Sequence, residues 1–183
     1  YDAKGNLTQV TDPANRSSGT TYNAHGEVTQ STDPAGGITR YGYDTRGNLI
    51  SVTDAKGNTH RFEYDRLDRL VKEIRPLGQS IRYTYDPNGN LTQVTDALGQ
   101  IKQYVYDAAN RRTQENHYLT AAAATANNAV KSVSYSYNIL DKLTGYNDGS
   151  TIATYSYDAR QLRQTGESIN YGSFTLASST SYN

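Results

Sequence analysis

The three histidines of this sequence could act as a general acid, a general base or a metal ligand. His25, His60 and His117 are separated by unequal intervals, and no two of them have the i, i+4 spacing that would bring metal ligands together on a helix. We therefore interpret them as solvated surface side chains. The sequence predicts neither a metal site nor a cofactor.

A recurring set of aspartates suggests calcium binding at first sight. Asp12, Asp33, Asp54 and Asp96 recur in the same sequence context. Calcium-binding β-helical repeats carry Gly-Gly-x-Gly-x-Asp nonapeptides, and none occurs here. Aspartate also accepts hydrogen bonds from the N–H groups of tight turns. We therefore predict that these aspartates stabilise turns.

The sequence lacks the local motifs of common enzyme sites. It has no Gly-x-Ser-x-Gly nucleophile elbow and no Gly-x-x-x-x-Gly-Lys phosphate loop. It has no cysteine, which excludes disulfides and thiolate metal ligands. We predict a protein without enzymatic activity. A hydrolase within the Ser/Thr-rich tail after Gly166 is the enzymatic alternative.

Charge and composition narrow the classes of partner. The 18 basic residues equal the 18 acidic ones, so the chain has no net basic field for nucleic acid or an anionic membrane. No apolar stretch is long enough to span a bilayer. The apolar fraction of 35% lies below the roughly 45–50% of globular domains, which predicts that no large compact core forms.

The elements that position these residues come from a repeat with a period of 21 residues. A fixed period of this length indicates an array of small structural units. We number the slots of the repeat from its first tyrosine, so that Tyr43 is slot 1 and Leu49 is slot 7 of one copy. Copies begin at Tyr1, Tyr22, Tyr43, Tyr64, Tyr85, Tyr106, Tyr137 and Tyr157.

Each repeat contains two predicted turns. Slot 5 and a second slot about ten residues later hold only glycine, asparagine or aspartate, the residues that enter the left-handed backbone region at low cost. Such residues between two strand-like segments indicate tight reversals. The first-turn positions are Gly5, Gly26, Gly47, Asp68, Gly89, Asn110 and Asp141. The second-turn positions are Asn15, Gly36, Gly57, Gly78 and Gly99.

The two strands of each repeat differ in character. The strand after the first turn is rich in branched residues, and the other ends in aromatic-x-aromatic, whose two rings share a sheet face. Stacked repeats are predicted to bring these rings into a ladder of aromatic pairs, each stabilising by about 0.5–1.5 kcal/mol beyond burial. The ladder residues are Tyr41, Tyr43, Phe62, Tyr64, Tyr83, Tyr85, Tyr104, Tyr106, Tyr135, Tyr137, Tyr155 and Tyr157.

The ladder has a structural and a binding interpretation. The rings hold the strands together, or they form an exposed aromatic row that stacks on sugars. Strict alternation places Leu49 and Val52 on opposite faces of their strand, so neither face is predicted to be cleanly apolar. We therefore expect a sheet that is wetted on at least one broad surface.

The array is predicted to span residues 1–163, followed by a degenerate repeat or terminal strand at 164–183. An insertion at about 117–131 contains four consecutive alanines and predicts a loop with room for one helical turn. The first turn of the eighth repeat, which begins at Tyr157, aligns as one residue short. Two reversals per repeat favour an antiparallel meander, and a parallel solenoid of the same period is the alternative.

The pattern Tyr-Asp-x-x-Gly-Asn-Leu, followed by Thr-x-Val-Thr-Asp, is complete at residues 85–96. It resembles the YD repeat of the Rhs family of bacterial proteins, and the resemblance runs from Tyr1 to about Arg163. The family includes the C subunits of insecticidal ABC toxin complexes, and related repeats occur in animal teneurins.

The resemblance implies an all-β architecture of repeated antiparallel hairpins, forming a curved, twisted sheet that is part of a hollow shell. In the family such a shell encloses a C-terminal toxin domain. The implied partners are a toxin cargo and the neighbouring repeats of a longer parent chain, and the implied location is secreted or at the bacterial cell surface. The family's Asp-Pro-x-Gly-Leu-like core signature is not matched: residues 33–37 come nearest but lack the leucine. No catalytic residue is therefore carried over.

The sequence thus predicts a non-enzymatic scaffold that forms part of a shell wall, with a carbohydrate-binding surface adhesin as the alternative. About sixteen strands at roughly 4.8 Å spacing would form a strip of about 75 Å, too short to enclose a folded domain alone. Open strand edges at the ends of the strip are predicted to be prone to pairing with another copy.

Overall fold

The computed structural model describes residues 1–160 and 162–182. Within them the chain forms short β-strands joined by tight turns, with one short helix. The chain divides into two compact units, Tyr1–Arg82 and Tyr83–Asn183. Strand β8 (Ser80–Tyr85) crosses the boundary between them.

The first compact unit is a regular succession of hairpins. Each strand pairs antiparallel with the strands before and after it in the chain. Its strands before β8 are β1 (Gln9–Thr11), β2 (Ser17–Tyr22), β3 (Val28–Thr32), β4 (Ile38–Tyr43), β5 (Leu49–Thr53), β6 (Thr59–Tyr64) and β7 (Leu70–Ile74).

The second compact unit continues the same plan and contains the helix. From β9 onward its consecutive strands are again antiparallel neighbours. Its elements are β9 (Leu91–Thr95), β10 (Ile101–Tyr106), β11 (Arg112–Tyr118), α1 (Ala121–Thr125), β12 (Lys131–Tyr137), β13 (Leu143–Asn147), β14 (Ile152–Tyr157), β15 (Gln164–Asn170) and β16 (Thr175–Ser179).

Within each compact unit the strand order follows the chain order, as in a meander. Glycine, asparagine or aspartate at each reversal and branched or aromatic residues between reversals account for this pattern. The predicted architecture of repeated antiparallel hairpins is confirmed, and the parallel solenoid is excluded.

Most of the repeats carry a β-bulge directly after the first turn. In the third repeat, Tyr43 pairs with Leu49 and Gly42 pairs with Ser51, so Ile50 is the extra residue. The bulge resets the alternation of side chains. Leu49 and Val52 therefore lie on the same face of the sheet, together with Tyr43 and Tyr41, their partners on the neighbouring strand. The bulged residue is at slot 8 in further repeats, and at slot 9 after the longer turn of the eighth repeat. These residues are Thr29, Val71, Thr113 and Thr144 at slot 8, and Thr165 at slot 9.

The strict alternation expected from the sequence is wrong because it assumed an unbroken period of two. The face with the aromatic side chains is nevertheless not cleanly apolar, since Glu73 is paired with Phe62. We call the face that carries Tyr41, Tyr43, Leu49 and Val52 the aromatic face, and the opposite one the polar face. The polar face carries residues such as Lys72 with its ion-pair partner on the neighbouring strand.

Little of the sheet is fully buried. The buried residues among those described are Ile101, Asn116, Tyr118, Val133 and Ala153, all in the second compact unit. Most side chains on the aromatic face are half-buried, as a sheet covered on neither side requires. The small number of buried residues agrees with the low apolar fraction of the sequence.

The insertion lengthens the second reversal of the sixth repeat, between β11 and β12. The Thr120 hydroxyl caps α1 by accepting a hydrogen bond from the Ala123 N–H at 3.1 Å. The Tyr118 side chain is 2% exposed and donates its hydroxyl to Asn127 Oδ1 at 3.0 Å. The insertion is therefore an ordered loop with a single helical turn.

The end of the chain departs from the predicted alignment. The Asp158 N–H donates to the Arg163 carbonyl at 2.9 Å, and Tyr157 pairs with Gln164. The first turn of the eighth repeat is thus one residue longer than usual, and the predicted shortening is wrong because Leu162 lies in the turn. Gln161 of this turn and Asn183 lie outside the described residues.

No helix in the described part of the chain combines the length and the hydrophobicity that a membrane-spanning helix requires.

Candidate functional site

The slots predicted to form turns all adopt a left-handed backbone. Their φ values range from 59° at Asn15 and Asp68 to 91° at Gly89. The full set is Gly5, Gly26, Gly47, Asp68, Gly89, Asn110 and Asp141 in the first turns, and Asn15, Gly36, Gly57, Gly78 and Gly99 in the second turns.

The two turns of a repeat share one geometry. In the first turn of the third repeat, the Gly47 N–H donates to the Asp44 carbonyl at 3.2 Å and the Asp44 N–H donates to the Asn48 carbonyl at 2.9 Å. In the second turn, the Gly57 N–H donates to the Asp54 carbonyl at 3.0 Å. The Asp54 N–H donates to the carbonyl of the residue four positions later at 2.9 Å. Both are three-residue hairpin loops that end in a left-handed residue.

An aspartate side chain closes both turns of the third repeat. Asp54 Oδ1 accepts the N–H groups of Lys56 and Asn58 at 2.9 and 2.8 Å, and Oδ2 accepts the Asn58 side-chain amide at 2.8 Å. The side-chain amide and then the main-chain N–H of Asn58 lower the pKa of Asp54, because both favour the carboxylate. The predicted turn-stabilising role is confirmed for Asp12, Asp33, Asp54 and Asp96.

The first turns of successive repeats contact each other through side chains. Arg46 of the third repeat places Nη1 at 2.9 Å from Asp68 Oδ1 and donates Nη2 to the Asp65 carbonyl at 3.0 Å. Asn48 also donates its side-chain amide to Asp68 Oδ1, at 2.6 Å. The left-handed aspartate at slot 5 therefore accepts hydrogen bonds from the preceding repeat.

The same contact recurs in the second compact unit. Asn88 and Asn90 donate to Asn110 Oδ1 at 3.1 and 2.7 Å. Arg111 donates to Asp141 Oδ1 at 2.8 Å, although the insertion separates the two residues in sequence. These contacts were not predicted, although the sequence carries a signal for them. Asp68, Asn110 and Asp141 at slot 5 each follow a repeat with arginine or asparagine at slot 4 or 6.

In most of the repeats, a tyrosine hydroxyl joins the first turn to the repeat before it. The Tyr64 hydroxyl donates to the Leu49 carbonyl at 3.0 Å, beyond the last paired residues of β5 and β6, Ser51 and Arg61. We call this slot 1 to slot 7 hydrogen bond the tyrosine clasp. Further clasps join Tyr22 to Leu7, Tyr106 to Leu91, Tyr137 to Arg112 and Tyr157 to Leu143, at 2.7 to 2.9 Å.

The clasp gives the tyrosines a role that phenylalanine lacks. Burial raises the pKa of Tyr64 and of Tyr106, so each hydroxyl remains a protonated donor. The ladder predicted from the sequence concerned the rings and their burial, so this role of the hydroxyl group was not predicted. Phe62 stands at an aromatic slot that lies two residues before the clasp slot.

The aromatic rings of the first compact unit are spaced more widely than a ladder of touching pairs requires. Tyr41 lies on β4 and Phe62 on β6, and β5 lies between these two strands. Val52 of β5 is the cross-strand partner of Tyr41. Two strand spacings amount to about 9.6 Å, beyond the 4.5–7 Å of interacting ring centroids. Branched side chains of the intervening strand therefore separate the rings.

In the second compact unit, an arginine side chain lies between two rings that are two strands apart. Arg112 replaces the usual slot 7 leucine, and its guanidinium carbon lies 5.6 Å from the ring centroid of Tyr104 and 4.9 Å from that of Tyr135. Glu115 approaches Arg112 at 3.1 Å and His117 at 2.6 Å. The rings of Tyr135 and Tyr146 are 5.8 Å apart. This cluster is held by cation–π and ionic contacts.

The histidines were predicted to be solvated, which applies to the exposed His25, whereas His60 and His117 are half-buried. His117 contacts Glu115, whereas the ring of His60 lies edge-on to Phe62 at 6.1 Å. Among the residues described, no three histidine or carboxylate side chains gather at a distance suited to a metal ion. The geometry on the aromatic face and at the first turns binds one repeat to the next.

Comparisons with known proteins agree with the repeat pattern. A family model described as the RHS repeat matches residues 1–38, 22–59, 43–80, 64–101 and 85–117. No curated protein sequence matches the chain. The crystal structure of TcdB2-TccC3 with Cdc42 is similar at a TM-score of 0.67 and 18% identity, covering 89% of this chain and 10% of that one.

Two further solved structures are similar to the same degree. These are the crystal structure of TcdB2-TccC3, with the same score, identity and coverage, and a Tc holotoxin pore from Photorhabdus luminescens. The pore matches at a TM-score of 0.67 and 18% identity, covering 90% of this chain and 9% of that one. The chain thus spans about a tenth of the length of these structures, and the likeness concerns the fold.

Proposed function

Because the chain belongs to the RHS repeat family, we propose that it forms a non-enzymatic wall segment of a β-shell that encapsulates a C-terminal toxin domain in a longer Rhs-type protein. The observation that supports this most directly is a sheet with few buried residues, whose aromatic face is only half-buried. A sheet of this kind spreads over a broad surface and encloses little core of its own, as a wall does. A compact domain instead folds around its own hydrophobic core.

The connections between repeats suit a wall. Main-chain pairing joins every strand to the next within each compact unit. The tyrosine clasp and the contacts of Arg46 and Asn48 with the following repeat reinforce the edge on which the first turns lie. Each added repeat extends the main-chain pairing, so this design grows without a change of fold.

The toxin context of the proposal comes from the similar structures. Their names describe TcdB2-TccC3 complexes and a Tc holotoxin pore. By analogy, the proposed partners of this chain are a toxin cargo, other toxin subunits and further repeats of the parent chain. The proposed location is secreted or at the bacterial cell surface.

Limited proteolysis of the longer protein that contains this segment tests the proposal. We expect its C-terminal region to resist protease, and the same region produced without the repeats to be digested rapidly. Replacing Tyr64 and Tyr106 by alanine removes two clasps and should increase cleavage of the C-terminal region. Equal sensitivity of that region with and without the repeats would contradict encapsulation.

The carbohydrate-binding alternative has weaker support. The clasp hydroxyls, which would be the natural partners of sugar hydroxyls, donate to main-chain carbonyls. A glycan array with the wild type, Tyr83→Ala and Tyr104→Ala separates the two functions. Glycan binding that is lost in these variants while the circular dichroism spectrum is unchanged would favour the adhesin.

A further inference from the structure

The polar face of the first compact unit carries three arginines at one position of the repeat. Arg40, Arg61 and Arg82 stand at slot 19, on β4, β6 and β8. Each directly precedes a ring of the aromatic face, as Arg40 precedes Tyr41, so each arginine side chain projects from the opposite face. All three side chains are exposed, and among the described residues none of the three makes an ion pair.

The three arginines form a regular row across the sheet. On β5, Thr53 pairs with Arg40 and Ser51 pairs with Arg61, so these two arginines are two strands apart and offset by two residues. Arg82 has the same offset from Arg61 across β7. Two strand spacings of about 4.8 Å and two residues of about 3.4 Å separate successive Cα atoms of the row by about 12 Å.

Acidic side chains do not balance this row. On the described strands of the first compact unit, the one acid on the polar face is Glu63, and Lys72 pairs with it at 2.9 Å. The other acids of the unit lie in turns, as Asp54 does, or on the aromatic face, as Glu73 does. The zero net charge of the whole chain therefore coexists with a positively charged face.

The second compact unit does not continue the row. Slot 19 on β10 holds Gln103, which donates its side-chain amide to Gln93 Oε1 at 3.1 Å. Its neighbours on the adjoining strands are Gln93 and Asn116, which are uncharged. The positive charge is therefore specific to the first compact unit and is not required by the repeat fold.

The chemistry of the polar face distinguishes among anionic partners. An arginine fork donates two hydrogen bonds to a carboxylate or a phosphate, and a sulfate group offers similar tetrahedral oxygens. Protein interfaces depend on aromatic and other large anchors, and single-stranded nucleic acid stacks its bases on aromatic rings. The rings of β4 and β6 lie on the other face of the sheet. Gln30, Ser51 and Thr53 beside the row offer hydrogen bonds that suit sugar hydroxyls.

We propose that the polar face of the first compact unit binds a linear sulfated polysaccharide, which lies along the row of Arg40, Arg61 and Arg82. Sulfate groups that recur along a sugar chain match cations that recur along the sheet, and clustered basic residues are typical of heparin-binding surfaces. The inference does not depend on encapsulation. It also differs from the adhesin alternative, which uses the tyrosine ladder on the opposite face.

Calorimetric titration of the full chain with heparin tests the binding. We expect an affinity that decreases between about 50 and 200 mM NaCl, because contacts with arginine release counterions from the polyanion. Arg40→Gln, Arg61→Gln and Arg82→Gln should each weaken binding about two- to fivefold, the effect of one exposed charge pair. The triple variant should bind about tenfold more weakly or worse, and its affinity should depend less on salt.

A matched control removes the same charge from the turns. Lys56→Gln, Arg66→Gln and Arg75→Gln together also remove three positive charges, and all three side chains are exposed at turns. We expect this triple variant to bind heparin like the wild type, because salt screens charges that lie away from the row. Circular dichroism checks that both triple variants keep the fold of the wild type.

Competition identifies the class of partner. Polyglutamate, a single-stranded oligonucleotide and phosphatidylserine vesicles present anions on a polypeptide, a nucleic acid and a membrane. We expect each of them to displace heparin poorly. The proposal would be overturned by absence of heparin binding, by undiminished binding of the slot 19 triple variant, or by an equal loss in the control. Competition by any of the three probes as strong as that by unlabelled heparin would assign the face to that other class.

Discussion

The two edges of the repeat array have the same turns but different connections. At the second turns, the hydrogen bonds of the described residues stay within the hairpin, as between the Thr53 and Thr59 hydroxyls at 2.9 Å. At the first turns, the Tyr64 clasp and the contact of Arg46 with Asp68 cross from one repeat to the next. The same turn geometry therefore serves mainly to reverse the chain at one edge, whereas at the other edge the turns also bind one repeat to the next.

The place of the insertion agrees with this difference. It lengthens a second turn, between β11 and β12. The first-turn edge keeps its connections across the insertion, since Arg111 still donates to Asp141 and Tyr137 still donates to the Arg112 carbonyl. The second-turn edge is more weakly linked, through an ion pair at 3.7 Å between Lys131 after the insertion and Asp148 of the next repeat, and it accommodates the extra chain.

Acidification should have the largest effect, because it acts on the turns of both edges at once. The pKa values of Asp44 at a first turn and Asp54 at a second turn are lowered, with the side-chain amide of the following asparagine as the main cause. A lowered pKa in the folded state means that these groups stabilise the fold above their unfolded pKa of about 3.9. That contribution is lost as the pH falls through the lower folded values.

Urea unfolding at pH 7, 5, 4 and 3 measures this loss. We expect a constant midpoint down to about pH 5 and a decrease below about pH 4. Asp44→Asn and Asp54→Asn should each reduce the acid sensitivity by a similar amount. Asn23 already closes one such turn, accepting N–H groups from His25 and Glu27 at 3.0 Å. A much larger effect of one variant would show that the two turns are not equivalent.

Lengthening the turns should separate the two edges clearly. We consider Gly-Ser-Gly-Ser inserted between Arg46 and Gly47 in a first turn, and between Lys56 and Gly57 in a second turn. Both insertions disturb one hairpin, but only the first also displaces the contacts of Arg46 with the next repeat. We expect it to lower the free energy of unfolding by about 1–2 kcal/mol more than the second. Equal losses in urea unfolding would contradict the distinction between the edges.

Removing one tyrosine hydroxyl should have an effect of intermediate size. Tyr64→Phe leaves the Leu49 carbonyl without its clasp donor. We expect a loss of about 1 kcal/mol, the usual net contribution of a hydrogen bond. Tyr41→Phe is the matched control, since its hydroxyl is 3.3 Å from Ser31 Oγ and the corresponding slot holds Phe62 in the next repeat. Equal destabilisation by both changes would argue against the clasp.

Truncating Arg46 should have the smallest effect. The side chains of Arg46 and Asp68 are 42% and 50% exposed, so solvent and salt screen their ion pair. We expect Arg46→Ala to cost about 0.2–1 kcal/mol at low salt and less at 1 M NaCl. Lys56→Ala at the corresponding place in the second turn should be nearly neutral. A salt-independent loss for Arg46→Ala would indicate packing by its aliphatic stem in place of charge.

The turns were the most predictable part of the fold from sequence. A slot restricted to glycine, asparagine and aspartate implies a left-handed backbone, because other residues are strained there. The composition likewise predicted a sheet without a large core. The assignment of faces failed at Ile50, because a bulge removes one residue from the pairing without any composition signal of its own.

The contacts between repeats were harder to predict because they join residues that are far apart in sequence. Nothing local indicates that the Tyr64 hydroxyl reaches the Leu49 carbonyl, since the acceptor is a main-chain group. The spacing of the rings was missed for a related reason. Aromatic strands alternate with strands such as β5, so rings that are adjacent in the pattern are two strands apart in the sheet.

Pairing between consecutive strands affects how the chain acquires its structure. Each strand finds its partners a few residues away, so closing a hairpin requires ordering only a short loop. Folding can therefore begin at any hairpin and spread to its neighbours. During synthesis on the ribosome, each hairpin has its partners as soon as the following strand has emerged, so β1 to β4 need not wait for the later half of the chain.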